Sequence, residues 1–243
     1  MNLCIDIGNT RIKIALFKDQ ELIEHVVFEK NQEDAILHFL DATKFSKSIL
    51  CSVSVIPEYL VNHLQVQSHF ILLSTSPKVN CTLPIELNYN SISSLGVDRL
   101  AAASGAAILF PNQYNLVINA GTCITYDLLD SRAVFQGGNI APGLRMRWRA
   151  MHEFTDRLPL VDDKDISEDL LGKNTRSALQ LGVIHGIRFE MESYYYQLHA
   201  KYQQLNCVIS GGDAEFLADK LKIKNFVEPL LVLKGLNFIL LQQ

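Results

Sequence analysis

The sequence predicts an α/β protein of two lobes built on one plan, and three observations point there. Each half opens with three short strands followed by a helix. Each half also puts a polar-x-glycine turn after its first strand: Ile5-Asp6-Ile7-Gly8-Asn9-Thr10, and again Ile118-Asn119-Ala120-Gly121-Thr122. The composition, 48% hydrophobic and 20% charged over 243 residues, is that of a globular chain able to bury two small cores. Two unrelated halves with chance glycine turns would read the same way, so the repeat alone leaves both origins open. The lobes are expected at residues 1–113 and 114–243.

Taken in order, Leu3 to Ile5 is a short apolar run that ends at the Gly8-Asn9 turn. Arg11 to Phe17 alternates, with Ile12, Ile14 and Leu16 on one face and Arg11 and Lys13 on the other. Asp19-Gln20 turns the chain into a third strand, Leu22 to Phe28. A helix over about 32–40, a strand near 48–53, a helix after Pro57 and a strand at 70–73 follow. Gly96-Val97-Asp98-Arg99 precedes a small-residue helix over 100–109. In the second half the strands are 115–118, 124–129 and 133–135. Helices follow at 144–154 and 175–205, then a strand at 207–210. Asp213 is expected to cap a helix over 214–221. Leu230, Leu233, Leu236 and Leu240 keep helical spacing in a closing helix that starts at Pro229.

Charge and cysteine usage narrow the function. A formal net charge of −4 offers no overall basic field for nucleic acid. The 5 cysteines (Cys4, Cys51, Cys81, Cys123, Cys207) contain no C-x-x-C pair, so neither a disulfide framework nor a structural zinc site is suggested. Asp6, Arg11, Lys13 and Lys18 would interrupt the apolar core of a secretion signal. The longest apolar runs, such as 100–110, fall short of the ~20 residues that span a bilayer. These features fit a reduced, cytoplasmic setting, with no membrane and no nucleic-acid partner.

The turns suggest phosphate chemistry. A strand–turn–strand tipped with Asp, Gly, Asn and Thr offers backbone N–H groups and a hydroxyl in a small concavity, where glycine permits close approach. Asp6, at its strand end, can hold Mg²⁺, because hard cations prefer carboxylate oxygen. Plain hairpin turns would look the same. Ser210-Gly211-Gly212-Asp213, between strand and helix, would let a flat ligand lie against backbone. The P-loop, the dinucleotide fingerprint and the protein-kinase motifs are all absent. Asp98 reads either as a helix cap or as a general base beside Arg99, a cation able to orient an anionic substrate.

Five segments, in their order and spacing, resemble the type III pantothenate kinases over essentially the whole chain. They are 6–10, 96–99, 121–125, Gly137-Gly138 with Pro142-Gly143, and Asn174-Thr175. The resemblance implies a duplicated ribonuclease H-like (actin-like ATPase) fold, two lobes with a nucleotide cleft between them. It implies ATP-dependent phosphorylation of pantothenate to 4′-phosphopantothenate, towards coenzyme A. Asp6, Ile7, Gly8, Asn9, Thr10, Arg11, Ile12 and Lys13 would form the first ATP loop, with Asp6 supporting Mg²⁺. Thr122 would be the ATP contact of the second loop, with Gly211 and Gly212 at the adenosine end. Tyr89, Gly96, Val97, Asp98, Arg99 and Thr175 would bind pantothenate, with Asp98 as general base and Arg99 facing the substrate's polar groups. The family is usually a homodimer and requires K⁺ or NH₄⁺. Its monovalent-cation aspartate is replaced here by Asn119, which puts that requirement in doubt.

Other readings remain: a sugar or acetate kinase of the same superfamily, a superfamily member that binds ATP without catalysis, or a DNA-binding or regulatory accessory protein. The only basic cluster is Arg145, Arg147, Arg149 and Arg157. On a helix Arg147 points away from Arg145 and Arg149, so a solvated face is the better reading. His185, in an apolar helix, reads as a satisfied core histidine. Tyr194, Tyr195 and Tyr196 point three ways from the long helix, which suggests a second subunit covering part of them.

Overall fold

The first strand is apolar along most of its length, and burial on both faces makes it the centre of a sheet. In this computed structural model, which describes residues 1–243, β1 (Asn2–Ile7) is buried at every position. β2 (Arg11–Lys18) pairs antiparallel with β1, and β3 (Glu21–Glu29) antiparallel with β2. β3 is largely exposed, as an edge strand rich in charge should be. After α1 (Glu33–Ala42), β4 (Lys47–Ser52) pairs parallel with the other side of β1. After α2 (Glu58–Gln67), β5 (His69–Leu72) pairs parallel with β4. The order is β3-β2-β1-β4-β5.

The next elements are β6 (Glu86–Leu87), a 3₁₀ turn at Ile92–Ser94, α3 (Val97–Leu109), β7 (Tyr114–Ala120), β8 (Cys123–Leu129) and β9 (Val134–Pro142). Then come α4 (Leu144–Glu153), α5 (Thr175–Tyr202), β10 (Leu205–Ser210), α6 (Ala214–Ala218), β11 (Phe226–Val227) and α7 (Leu231–Leu241). The second sheet runs β11-β10-β7-β8-β9-β6. Setting β6 aside, its order β9-β8-β7-β10-β11 is the order of the first sheet repeated with the second set of strands. The link between β7 and β8 is too short for a crossover, so the pair is an antiparallel hairpin. β10 joins parallel to β7, and β11 parallel to β10. The repeat suggested by the two turns is therefore one of topology, the ribonuclease H-like plan twice over.

Several element boundaries differ from the sequence-based expectation. β9 runs on to Pro142 instead of stopping at Phe135. Gly137, at φ +105°, bends the strand without ending it. β6 and β11, at 2 residues each, are too short to show a period. α3 begins at Val97, so Asp98 and Arg99 form its first turn. Asp213 occupies the N-cap position of α6 but makes no side-chain cap. Its carboxylate accepts instead from Arg145 Nη1 at 2.6 Å, a charged donor that outcompetes a backbone amide.

The chain groups into two units. One comprises Met1–Asn112, Leu129–Gly137 and Leu230–Gln243, the other Gln113–Leu128 and Gly138–Pro229. Dividing the chain at 113/114 would put residues 129–137 and 230–243 with the second unit. They group with the first because the start of β9 pairs with β6, and because α7 packs on α3 and β1. In the first unit Leu3, Ile5, Ile12, Ile14 and Leu50 form the centre of the core. α7 and α3 approach closely at Gly105 and Gly235, where an added Cβ would meet backbone of the facing helix. Asn2 Nδ2 donates to Asn237 Oδ1 at 2.9 Å, tying β1 to α7. The second core gathers Ile118, Ile124, Ile184 and Trp148, whose indole N–H donates to Leu179 O at 3.1 Å. No helix is long and apolar enough to cross a membrane.

Candidate active site

In the first unit the functional groups collect at the ends of β1 and β4 and at the start of α3. Asp6, the penultimate residue of β1, is 8% exposed and set across from Lys13 on β2 and from Cys51 on β4. The Cys51 thiol donates to Asp6 Oδ1 at 3.7 Å. Burial pushes the Asp6 carboxyl up to about 6, with the Asp98 charge adding to the rise; Lys13 and the thiol work against it. Burial, together with the two carboxylates, holds the Cys51 thiol protonated. The thiol is therefore a donor and not a nucleophile. Ile7 and Ile12 are fully buried in the core, so only their backbone can face a ligand. The tip, Asn9 and Thr10, is exposed, and Gly8 N–H closes the turn on Arg11 O at 3.0 Å. Arg11 is engaged by Glu29 at 3.1 Å.

At the start of α3, Gly96 is the N-cap residue and Asp98 lies in the first turn. A Cβ at Gly96 would sit 2.7 Å from Asp98 Oδ1, so this glycine makes room for the carboxylate. Asp98 Oδ1 accepts the Arg99 backbone N–H at 2.9 Å. Burial raises the Asp98 carboxyl, while backbone hydrogen bonds and the Arg99 charge pull it down. A partly desolvated carboxylate in the first turn of a helix is an environment that can make a general base. Val97 faces the core, and Arg99 is only 4% exposed. The guanidinium carbon of Arg99 lies 5.9 Å from the Tyr89 ring centre and 5.7 Å from that of Phe135.

In the second unit the equivalent turn is closed by glycines of two other segments. Gly121 N–H donates to Cys123 O, and Gly143 N–H to Thr122 O, both at 3.0 Å. The Thr122 side chain is left exposed. Gly211, at φ +98°, lies flat on the Ala120 carbonyl, and a Cβ there would collide with it. Gly212 faces open space, which suits a flat ligand. Asn119, the penultimate residue of β7, is in register with Ser210, whose buried hydroxyl has no hydrogen-bond partner.

Thr175 stands apart from that turn. It opens α5, whose N-cap Asn174 forms a capping box with Ser177. With Arg147, Lys173 and Asn174 it lines a cavity of about 700 Å³ that none of Asn119, Thr122, Gly211 and Gly212 borders. Three arginines of the basic cluster are engaged as well: Arg145 by Asp163 and Asp213, Arg147 by Glu190, Arg149 by Glu153. His185 Nε2 donates to Asp169 O, 3.0 Å away.

Two participants were not visible in the sequence, Cys51 and Phe135. A signal for Cys51 existed: it lies near the end of the strand that pairs with β1, opposite Asp6. Phe135 carried none, because its strand read as ending there.

A duplicated ribonuclease H-like fold with a carboxylate-bearing turn in its first unit and a glycine-locked turn in its second defines the actin-like ATPase class. The comparisons agree. An activator of the 2-hydroxyisocaproyl-CoA dehydratase from Clostridium difficile, solved with bound ADPNP, shares the fold at 11% identity, with a TM-score of 0.54 over 99% of this chain and 92% of that one. A Campylobacter jejuni protein named for the Baf family of transcriptional activators aligns with a TM-score of 0.61 and 26% identity, over 98% of this chain and 96% of its own. Within the class the sequence is specific. The family model described as type III pantothenate kinase matches residues 2–197. A type III pantothenate kinase of Bacteroides fragilis is 41% identical over 241 residues, 99% of this chain and 97% of its own length. The chain belongs to the type III pantothenate kinase family.

Proposed function

We propose that the protein transfers the γ-phosphoryl group of ATP to the primary hydroxyl of pantothenate, with Asp98 as the base that takes the hydroxyl proton. The observation that carries this reading is the desolvation of two carboxylates, Asp98 and Asp6, with the Asp98 charge felt at Asp6. Two such groups beside one turn have separable tasks, proton acceptance and cation binding. Asp98, held by its own helix N-terminus, accepts the proton as the hydroxyl attacks. Arg99 and Tyr89 orient the substrate's polar groups, and the backbone of 6–13 with Thr122 holds phosphate. Gly211 and Gly212 receive the adenosine end, and Thr175 contacts pantothenate.

Asp6 fits Mg²⁺. A single carboxylate at a phosphate turn is the usual protein share of a Mg²⁺–nucleotide site, and Asp6 is a hard oxygen donor at such a turn, desolvated by burial. Mg²⁺ held there with ATP would neutralise charge developing on the phosphate oxygens. The monovalent-cation position does not fit in the same way. Asn119 and the Ser210 hydroxyl beside it supply dipoles and no charge, so no step is drawn through K⁺ or NH₄⁺.

The protein is read as a cytoplasmic homodimer, without membrane or nucleic-acid partners. The carboxylate partners of Arg145, Arg147 and Arg149 support the last point against a DNA-binding role. ADP release in a coupled assay, with and without pantothenate, tests the function. Release that is indifferent to pantothenate, or absent with it, refutes the reading.

A further inference from the structure

Arg145 stands in the first turn of α4, where a cation opposes the helix dipole. That turn holds no acid of its own to offset it. The offset comes from two other segments: Arg145 Nη1 donates to Asp213 Oδ1 at 2.6 Å, and Nη2 to Asp163 Oδ2 at 2.7 Å. Two residues earlier, Gly143 N–H donates to Thr122 O at 3.0 Å. Residues 143–145 therefore bind both glycine turns of the second unit, one through a backbone amide and the other through a guanidinium.

We propose that Arg145 is a positioning residue for nucleotide binding: through Asp213 it holds the Gly211-Gly212 turn in place relative to the phosphate turn, so that the adenosine end meets a preformed surface. This rests on the kinase reading above, in which Gly211 and Gly212 receive the adenosine end.

The turn has need of such an anchor. Two consecutive glycines are the loosest backbone a chain can offer, and Gly211 is held at φ +98°. The helix that follows, α6, has 5 residues and no side-chain cap. On the main chain, Asp213 N–H donates to Ala120 O at 3.0 Å and Ala214 N–H to Gly211 O at 3.3 Å. The Asp213 carboxylate could have capped α6, a bond worth about 1 kcal/mol, and is given to Arg145 instead. A charge-assisted bond to a fork fixed by a second carboxylate is stronger and more directional than a cap. A turn ordered before binding spares the ligand the entropy of ordering it. The phosphate turn is closed by the Gly143 amide, so its hold on phosphate is independent of the Arg145 side chain.

The test is steady-state kinetics of the full chain in Arg145→Gln. Arg149→Gln is the control, since Arg149 lies on the same helix and pairs with Glu153 four residues on. In Arg145→Gln the KM for ATP should rise about three- to tenfold, while kcat and the KM for pantothenate stay within about twofold. Arg149→Gln should change none of the three. Asp213→Asn should raise the KM for ATP alike, and the double variant should add nothing further. Calorimetric binding of ADP with Mg²⁺ should weaken in Arg145→Gln by the same factor as the KM for ATP. Binding of inorganic tripolyphosphate with Mg²⁺, which has no adenosine, should weaken by less than about twofold. An unchanged KM for ATP, equal rises in both KM values, an equal effect of Arg149→Gln, or an additive double variant overturns the proposal. So do equal losses of ADP and tripolyphosphate binding. Asp213→Asn carries the same comparison if Arg145→Gln does not fold. A chain that binds ADP without phosphorylating pantothenate would refute the kinase reading and still decide this one.

Discussion

Replacing Asp6 by Asn should stabilise the protein while disabling it, and the size of the effect follows from its burial. The folded state lifts the Asp6 carboxyl from its ordinary 3.8 to about 6. That difference corresponds to about 3 kcal/mol, an order-of-magnitude figure for holding the charge where it is. Below about 4 the carboxyl is protonated folded and unfolded, and it costs nothing. Between about 4 and 6 the folded chain keeps a proton that the unfolded chain has lost, so stability falls as pH rises. Above about 6 the whole cost is present. Asn has no charge to bury and keeps an oxygen for the Cys51 thiol. Urea unfolding in EDTA at pH 4 to 8 should show Asp6→Asn gaining on the parent by up to about 3 kcal/mol between the two ends. Adding Mg²⁺ with ATP should then stabilise the parent and barely affect the variant. A difference that is flat with pH, or a variant less stable than the parent at pH 8, would refute the reasoning.

Three further outcomes are expected. Asp98→Asn keeps size and polarity but removes the proton acceptor, so kcat should fall roughly 10²- to 10⁴-fold with modest change in KM; near-parental kcat would assign Asp98 to the helix terminus alone. With Asn119 the chain lacks a fixed charge beside a monovalent cation, worth on the order of 4 kcal/mol at about 4 Å before desolvation. Activity titrated with KCl against choline chloride should therefore respond weakly, and Asn119→Asp should strengthen the response; a saturable millimolar requirement in the parent contradicts this. Light scattering at assay concentration should give about twice 27.3 kDa, since Tyr196 and Phe189 leave α5 exposed at 55% and 49%, and an active monomer would rule the dimer out.

The sequence made the strand-rich opening legible because β1, β2 and β3 carry clean apolar runs and alternation. It made the duplication legible through the two polar-x-glycine turns and the three strands and a helix that open each half. What it hid lies where residues act through partners far along the chain. Tyr194 was read as one of three outward tyrosines, yet it stacks on Tyr126 with ring centres 4.3 Å apart and accepts from Asn139 Nδ2. Asp213 has the composition and position of a cap, and only the fold shows that Arg145 claims it. Asp6 and Asp98 were each picked out singly. Their coupling needs the β1–β4 register and the start of α3 on one side of a sheet, and no local pattern records that.

The way α7 completes the first unit bears on how the chain can fold. Residues 2 and 237 meet in a buried amide pair, so the first unit must hold open the largest loop in the chain until its last helix arrives. The second unit draws its main body, residues 138–229, from one continuous stretch. Its contacts close shorter loops and can form earlier. During synthesis the first-made segment would then wait, with β1 and α3 lacking the helix that covers them, until the second unit is nearly built. Asp6 and Asp98 both belong to that late-closing unit, so the catalytic carboxylates would be assembled only when almost the entire chain is in place.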